Sequence, residues 1–157
     1  MKQPATMSPQ EKEAFHQEAE SRISTFSYKT PARSGKPKDV EVIKRKGLLK
    51  VYVQTIRDGG ENNLHYHTNS ETMWMVLRGR ARFYGVGDKL IGELGPEEGI
   101  FLPGGSRYWF EKVGTDDLEL LQTVATEGED LRINVEAHKD WMSDDPFLKV
   151  YESAATV

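Results

Sequence analysis

The sequence predicts an all-β fold, a barrel or a jelly roll, preceded by one helix. Short segments of β-branched and aromatic residues with alternating polarity follow one another from residue 40 to residue 125. Turns rich in glycine separate these segments at close, even spacing, which is typical of barrels and jelly rolls. The chain of 157 residues has the length of one domain, and it is long enough to bury a core.

The helix is predicted just after the first few residues. Ser8 is a suitable N-cap, Pro9 fits the first helical position, and Glu11 completes a capping box. One apolar stripe then recurs with helical spacing, formed by Ala14, Phe15, Ala19 and Ile23. We expect an amphipathic helix that packs on a sheet or on a partner subunit, followed by a loop to residue 39.

Eight strands are predicted within the barrel, over residues 40–43, 48–56, 73–77, 80–84, 90–94, 100–102, 107–113 and 118–125. The expected organisation is a helix and loop over 1–39, a barrel over 40–125 and an extension over 126–157. Residues 131–135 of the extension have the pattern of an outer strand. We expect its later apolar residues to cover the barrel or a partner subunit, namely Trp141, Met142, Phe147, Leu148, Val150 and Tyr151.

Composition excludes several functions. The net charge of −4 and pI near 5.6 give no general attraction to nucleic acid or to an anionic membrane. The sequence has no cysteine, no signal peptide and no membrane span, so a cytoplasmic protein is expected.

Basic residues cluster between positions 29 and 50. A solvated face is the simpler interpretation of this cluster, and attraction of an anionic substrate is the alternative.

The most informative stretch contains His65, His67 and Glu71. Residues i and i+2 of a strand share one face, so the two imidazoles can enter one cavity. Glu71 follows a polar turn and could approach the same point. Two imidazoles and a carboxylate suit a divalent transition metal, as in catalytic zinc sites or in non-haem Fe(II) oxygenases. The sequence therefore predicts a metal site.

These residues resemble the first motif of the cupin family, which Gly59, His65, His67, Glu71 and Gly79 match. The second motif is matched at its Pro-Gly turn, formed by Pro103, Gly104 and Gly105, and the position of its metal-binding His is taken by Tyr108. The resemblance covers residues 40–125. It implies a double-stranded β-helix, the cupin jelly-roll barrel.

Three departures from the family pattern affect the expected site. Counting back from Gly79, Thr72 takes the register of the family's Glu, and Glu71 lies one step early, which on a strand reverses the face. Glu97 stands where the second motif usually has Gly. Tyr108, in place of His, could be a phenolate ligand, a hydrogen-bond donor or general acid, or a sign that the site has decayed. We favour the donor, because three protein ligands leave a position open for catalysis.

The resemblance implies a small-molecule enzyme, dioxygenase-like or isomerase-like, with one divalent ion (Fe, Zn, Mn or Ni) held by His65, His67 and Glu71. Alternatives are a non-catalytic cupin that binds a metal or a small ligand, and a cupin of nitrogen–nitrogen bond-forming biosynthesis. A homodimer is expected. Residues predicted to line the substrate pocket are Tyr52, Gln54, Trp74, Phe110 and Gln122, although the aromatic ones could simply fill the core.

Overall fold

A computed structural model of the protein describes residues 6–32 and 34–135. The chain divides into two compact units, Met1–Thr30 and Pro31–Val157, and each is described by itself. The apolar residues predicted to cover the barrel or a partner lie outside the described residues. Within the part of the chain that is described, no helix has the length and hydropathy needed to cross a membrane.

The first unit contains one helix, α1, over Pro9–Glu20. Its start confirms the predicted capping box: the Glu11 N–H donates to Ser8 Oγ at 3.3 Å, and the Ser8 N–H donates to Glu11 Oε2 at 2.8 Å. The helix ends three residues before Ile23, which is exposed, as is Phe15. Local sequence therefore determines where this helix begins, because both capping partners lie within its first turn.

The second unit is built from ten strands: β1 Lys38–Lys46, β2 Leu49–Ile56, β3 His65–His67, β4 Ser70–Arg78, β5 Ala81–Tyr84, β6 Leu90–Leu94, β7 Gly99–Leu102, β8 Trp109–Lys112, β9 Leu118–Thr126 and β10 Arg132–Asn134. One sheet has the order β1-β2-β9-β4-β7. A second group has the orders β6-β5-β8 and β10-β3, and a bridge between His65 and Tyr108 joins these two. The predicted all-β jelly roll is confirmed, and the strand predicted within residues 131–135 is β10.

The core lies between these sheets and follows from alternation along the strands. On β4, Ser70, Thr72, Trp74 and Val76 are buried, while the residues between them are less so. Trp74 packs on Phe110 of β8 with 5.4 Å between ring centroids, and Phe110 packs on Phe83 of β5 at 5.3 Å. Fully burying an apolar side chain of this kind contributes about 1.5–3 kcal/mol.

Arg57 stabilises the end of the barrel at which β2 stops. Its guanidinium bonds to Asp39 at 2.7 Å and lies 3.4 Å from Asp117, which precedes β9. It also donates to the carbonyl of Lys36 at 3.1 Å. The side chain is largely buried, so these contacts tie three segments together at the end of the barrel where β2 stops, which we call the deep end.

Gly79, which closes the first motif, occupies a position that only glycine fits. Its φ is +78°, in the left-handed region, and a Cβ there would lie 2.8 Å from the carbonyl oxygen of Asp117. Glu97, at the position where the family pattern has Gly, also has a positive φ of 70°. The family's preference for glycine at that turn therefore has a backbone reason. In this chain Glu97 adopts the same left-handed conformation, with some strain.

Candidate functional site

The inside of the barrel contains a cavity of about 350 Å³ at the end opposite Arg57. Unlike the core, it is lined mainly by polar and charged side chains. They come from both sheets and from the segment before β10: Arg45, Lys50, Tyr52, His67, Ser70, Gln122, Val124, Asp130 and Arg132. Polar groups that converge in a concave site can fix the orientation of a small ligand.

His65 and His67 lie on the short strand β3, and the structure places their rings side by side. The ring centroids are 5.4 Å apart and the ring planes are inclined by 79°. His67 lines the cavity, whereas His65 lies behind it and is only 2% exposed. The spacing of two residues along a strand accounts for the adjacent rings, but of the two histidines only His67 lines the cavity.

His65 is oriented by the loop before it. Its Nδ1–H donates to the backbone carbonyl of Asn63 at 2.7 Å, which leaves Nε2 without a proton. That loop is buried although it is polar, and the side chain of Asn62 accepts the N–H of Phe110 at 2.9 Å. Burial, reinforced by the positive charge of Arg132, holds the pKa of His65 well below its usual value, so the ring is neutral.

His67 is oriented by a carboxylate from a distant part of the chain. Its Nδ1–H donates to Asp130 Oδ2 at 2.8 Å, and Asp130 Oδ1 accepts the backbone N–H of Asn69 at 2.9 Å. Burial lowers the pKa of His67, and the hydrogen bond to Asp130 opposes that effect. The ring is thereby held in one tautomer, with Nε2 as the nitrogen that can take a proton or bind an ion.

Tyr108 lies next to His65, with 4.6 Å between ring centroids, and is almost fully buried. Its hydroxyl accepts from Trp74 Nε1 at 3.4 Å. Burial raises the pKa of Tyr108 to about 12, so the phenol keeps its proton at neutral pH. This favours a donor role over a phenolate ligand, and Tyr108 is not among the residues that line the cavity.

Glu71 requires a correction, because the structure does not bring it to the histidines. On β4 the side chains of Ser70 and Thr72 are buried, and Glu71, between them, is exposed. It borders a separate groove of about 760 Å³ beside the start of β4, together with Glu127. Thr72 takes the inward register, so the alternation of the strand decides against the predicted ligand.

The residues predicted to line a substrate pocket fall into two groups. Tyr52 and Gln122 line the cavity, and Gln54 donates to Gln122 Oε1 at 2.8 Å. Trp74 and Phe110 belong to the hydrophobic core instead. The aromatic pair therefore fills the barrel, which was the alternative interpretation, and the polar residues remain as pocket candidates.

Four charged residues of the cavity were not predicted as site residues: Arg45, Lys50, Asp130 and Arg132. In the strand register, Arg132 of β10 lies opposite His67 of β3, and Arg45 of β1 lies opposite Lys50 of β2. The basic cluster between residues 29 and 50 was the one sequence signal for Arg45 and Lys50. No sequence signal indicated that the segment after residue 126 returns to the histidines.

The donor set fits a metal ion in part. Two neutral imidazoles, each with Nδ1 engaged and Nε2 left over, have the arrangement common in metal-bound histidines. Among the residues that the structure describes, however, no group of three histidines or carboxylates is placed to hold an ion. The predicted triad of His65, His67 and Glu71 is therefore not assembled, and binding of a divalent ion stays a prediction.

Residues 52–124 match the sequence profile of the family described as the cupin domain. The matched span runs from Tyr52 of β2 to Val124 of β9 and includes both motifs. The chain carries a cupin domain. The predicted resemblance is thus confirmed, although no significant match to a curated protein accompanies it.

Solved cupin structures have the same fold at low sequence identity. An RmlC-like cupin protein from Desulfovibrio desulfuricans superposes with a TM-score of 0.56 at 22% identity, covering 66% of this chain and 97% of its own. A protein with a double-stranded β-helix domain from Klebsiella pneumoniae gives 0.57 at 21%, covering 72% and 92%. KdgF from Halomonas gives 0.52 at 13%, covering 59% and 82%. At these identities the likeness concerns the fold alone.

Proposed function

We propose that this cupin is a small-molecule enzyme of the isomerase-like kind, in which His67 moves a proton to and from a ligand in the cavity. One observation carries the proposal: His67 lines the cavity, and Asp130 holds its Nδ1 at 2.8 Å. A neutral imidazole held in one tautomer by a carboxylate can accept a proton at Nε2, and the carboxylate then stabilises the imidazolium.

The neighbours of His67 support that role. His65 packs against it and is held neutral by burial, so the two rings do not repel each other as cations. Tyr52 and Gln122 add a hydroxyl and an amide to the cavity wall, where they could orient a polar ligand. The cavity volume of about 350 Å³ suits a small metabolite.

The proposal is tested by proton exchange, which does not require the natural substrate. Purified protein is incubated in D₂O with a panel of neutral and acidic carbonyl compounds, and NMR follows deuterium incorporation next to the carbonyl carbon. We expect exchange with some of these compounds and its loss in His67→Gln. His16→Gln, at an exposed histidine of α1, is the matched control and should retain full exchange.

Exchange that persists in His67→Gln, or no exchange with any compound, would refute this proposal. Specific binding without exchange would instead support the non-catalytic ligand-binding module. Membership in nitrogen–nitrogen bond-forming biosynthesis, a cytoplasmic location and a homodimer stay predictions, since none of them follows from the geometry of the cavity.

A second candidate function is metal binding by His65 and His67, and the engaged Nδ1 atoms of both rings favour it. A bound divalent ion would supply Lewis-acid or oxygen chemistry next to the cavity, which a dioxygenase-like activity needs. Elemental analysis after loading with Fe, Zn, Mn or Ni tests it. We expect metal bound to wild type and to His16→Ala, and background metal in His67→Ala. Background metal in wild type would reject this candidate.

A further inference from the structure

We propose that a second copy of this chain packs on the outer face of the five-stranded sheet, so that the β1–β2 turn of each copy enters a groove of the other. The β1–β2 turn is formed by Lys46, Gly47 and Leu48, and the groove is the one bordered by Glu71 and Glu127. The inferred interaction surface does not depend on the chemistry of the cavity.

The outer face of this sheet is open where it lies over the cavity. Along β2 towards the deep end, Val53 points outward and is nevertheless buried, and it borders a cleft together with Pro31 and Ala32. Towards the cavity, by contrast, Leu49 of β2 is 46% exposed and Met73 of β4 is 42% exposed on the same face. An apolar area thus stays uncovered there, and such areas are typical of contacts with a partner.

Strand pairing places four exposed residues in one row across the open part of the face. Glu71 of β4 lies opposite Ala125 of β9, Ala125 lies opposite Leu49 of β2, and Leu49 lies opposite Lys46 of β1. Residues that lie opposite each other on paired strands share a face. The row therefore has an acid at one end, a base at the other end and two apolar residues between them.

A two-fold axis parallel to the strands, between β2 and β9, makes this row complementary to itself. Rotation about that axis reverses the row, so Glu71 of one copy faces Lys46 of the other and Ala125 faces Leu49. Sheets packed face to face lie about 10 Å apart, a gap that these long charged side chains can bridge. Neither charged side chain makes a hydrogen bond or an ion pair to another residue that the structure describes, so both are available to a partner.

The groove beside the start of β4 has the charge that the β1–β2 turn requires. Its volume is about 760 Å³, and its described lining residues include two acids, Glu71 and Glu127, and no cation. In the two-fold arrangement, the turn that follows Lys46 of the second copy lies over this groove. Leu48 is 63% exposed and stands at the edge of the groove in its own chain, so Leu48 of the second copy would cover apolar surface there.

The inference is tested by sedimentation velocity of the full chain, which measures the dissociation constant of the dimer. We expect a reversible dimer that weakens as NaCl is added. Glu71→Lys and Lys46→Glu should each weaken the dimer by about tenfold or more, because each variant places like charges opposite each other. The double variant should return to within about threefold of wild type, because the pair is restored with its signs exchanged.

Lys89→Glu is the matched control for the change of charge. Lys89 is exposed in the turn between β5 and β6, outside the sheet that carries the row, so this variant should dimerise within about twofold of wild type. Equal weakening by Lys89→Glu and Lys46→Glu would show that net charge, and not the proposed contact, controls association, and would refute the surface.

A monomer at every concentration would also overturn the inference, and so would a dimer that the double variant fails to restore. If the charge-reversed variants do not fold, hydrogen exchange of wild type serves instead. Protection of the β1–β2 turn and of the start of β4 that increases with protein concentration supports the surface, and an increase only on other strands refutes it. Protection of these segments in a monomer would mean that the chain's own residues cover the face.

Discussion

The two ends of the barrel lumen differ in character, although the same strands line both. At the deep end, Ile56 of β2 faces Leu118 of β9, and both are fully buried. At the other end, Lys50 and Tyr52 lie on the same face of β2 and line the cavity. Alternation thus fixes which side chains point inward, and the change from apolar to polar side chains along β2 divides the lumen between a stabilising core and a binding site.

The comparison leads to a clear expectation for the core. Phe110→Ala removes a fully buried ring at the deep end and should reduce the free energy of unfolding by about 3–5 kcal/mol. Phe101→Ala is the control, since Phe101 of β7 is 57% exposed on the outer face and its loss should cost less than about 1 kcal/mol. Urea denaturation measures both. Equal losses would contradict the assignment of the deep end as the core.

At the cavity end, a substitution should affect chemistry more than stability. Asp130→Ala removes the acceptor of His67 Nδ1, so the ring is no longer held in one tautomer. Proton exchange, or metal affinity if an ion binds, should fall about 10–100-fold, as is usual for such supporting carboxylates. Nitrogen NMR of the imidazole should show mixed tautomers. Glu129→Ala, at the exposed neighbour, should leave both readouts unchanged.

Arg57 offers a test of the deep end that does not involve the apolar core. Arg57→Gln breaks its bonds to Asp39 and Asp117 and should reduce the free energy of unfolding by about 1.5–3 kcal/mol at neutral pH. Arg82→Gln, at an exposed arginine paired with Glu93, should reduce the free energy of unfolding by less than Arg57→Gln does, because water screens an exposed ion pair. If the exposed pair proved the more stabilising, the role assigned to Arg57 would fail.

The same contact predicts a pH dependence. The hydrogen bond from Arg57 lowers the pKa of Asp39 below 3.8, so the carboxylate is stabilised in the folded state. This contribution is present above pH 3.8 and is lost as the pH falls through the lower folded pKa. Unfolding curves measured down through acidic pH should therefore decline less steeply for Arg57→Gln than for wild type. Parallel curves would show that Asp39 does not carry the effect.

The smallest effect is expected for Glu71. Because Glu71 is exposed on the outer face of β4, Glu71→Gln should change proton exchange and metal content by less than twofold. His67→Gln, measured in parallel, should abolish the proton exchange. Loss of bound metal in Glu71→Gln alone would mean that β4 presents this side chain inward and would restore the predicted triad.

Much of the architecture was predictable because it depends on local patterns. The capping box of Ser8 and Glu11 was predicted, and so were the strands and the shared face of the two histidines. The register count from Gly79 placed Thr72 at the position of the family's Glu, and Glu71 was nevertheless expected to reach the metal from the turn. The resemblance to the family motif favoured Glu71 as a ligand, but the pleat of β4 places it on the opposite face.

Asp130 and Arg132 were not predictable in the same way, because their importance comes from pairing between distant segments. His67 and Asp130 are separated by 63 positions in the chain. The sequence by itself determined an all-β chain with an imidazole pair on one face, since a period of two residues is a local property. Only the tertiary structure decided which carboxylate holds His67 and which cations surround it, because strand pairing and register bring those side chains into contact.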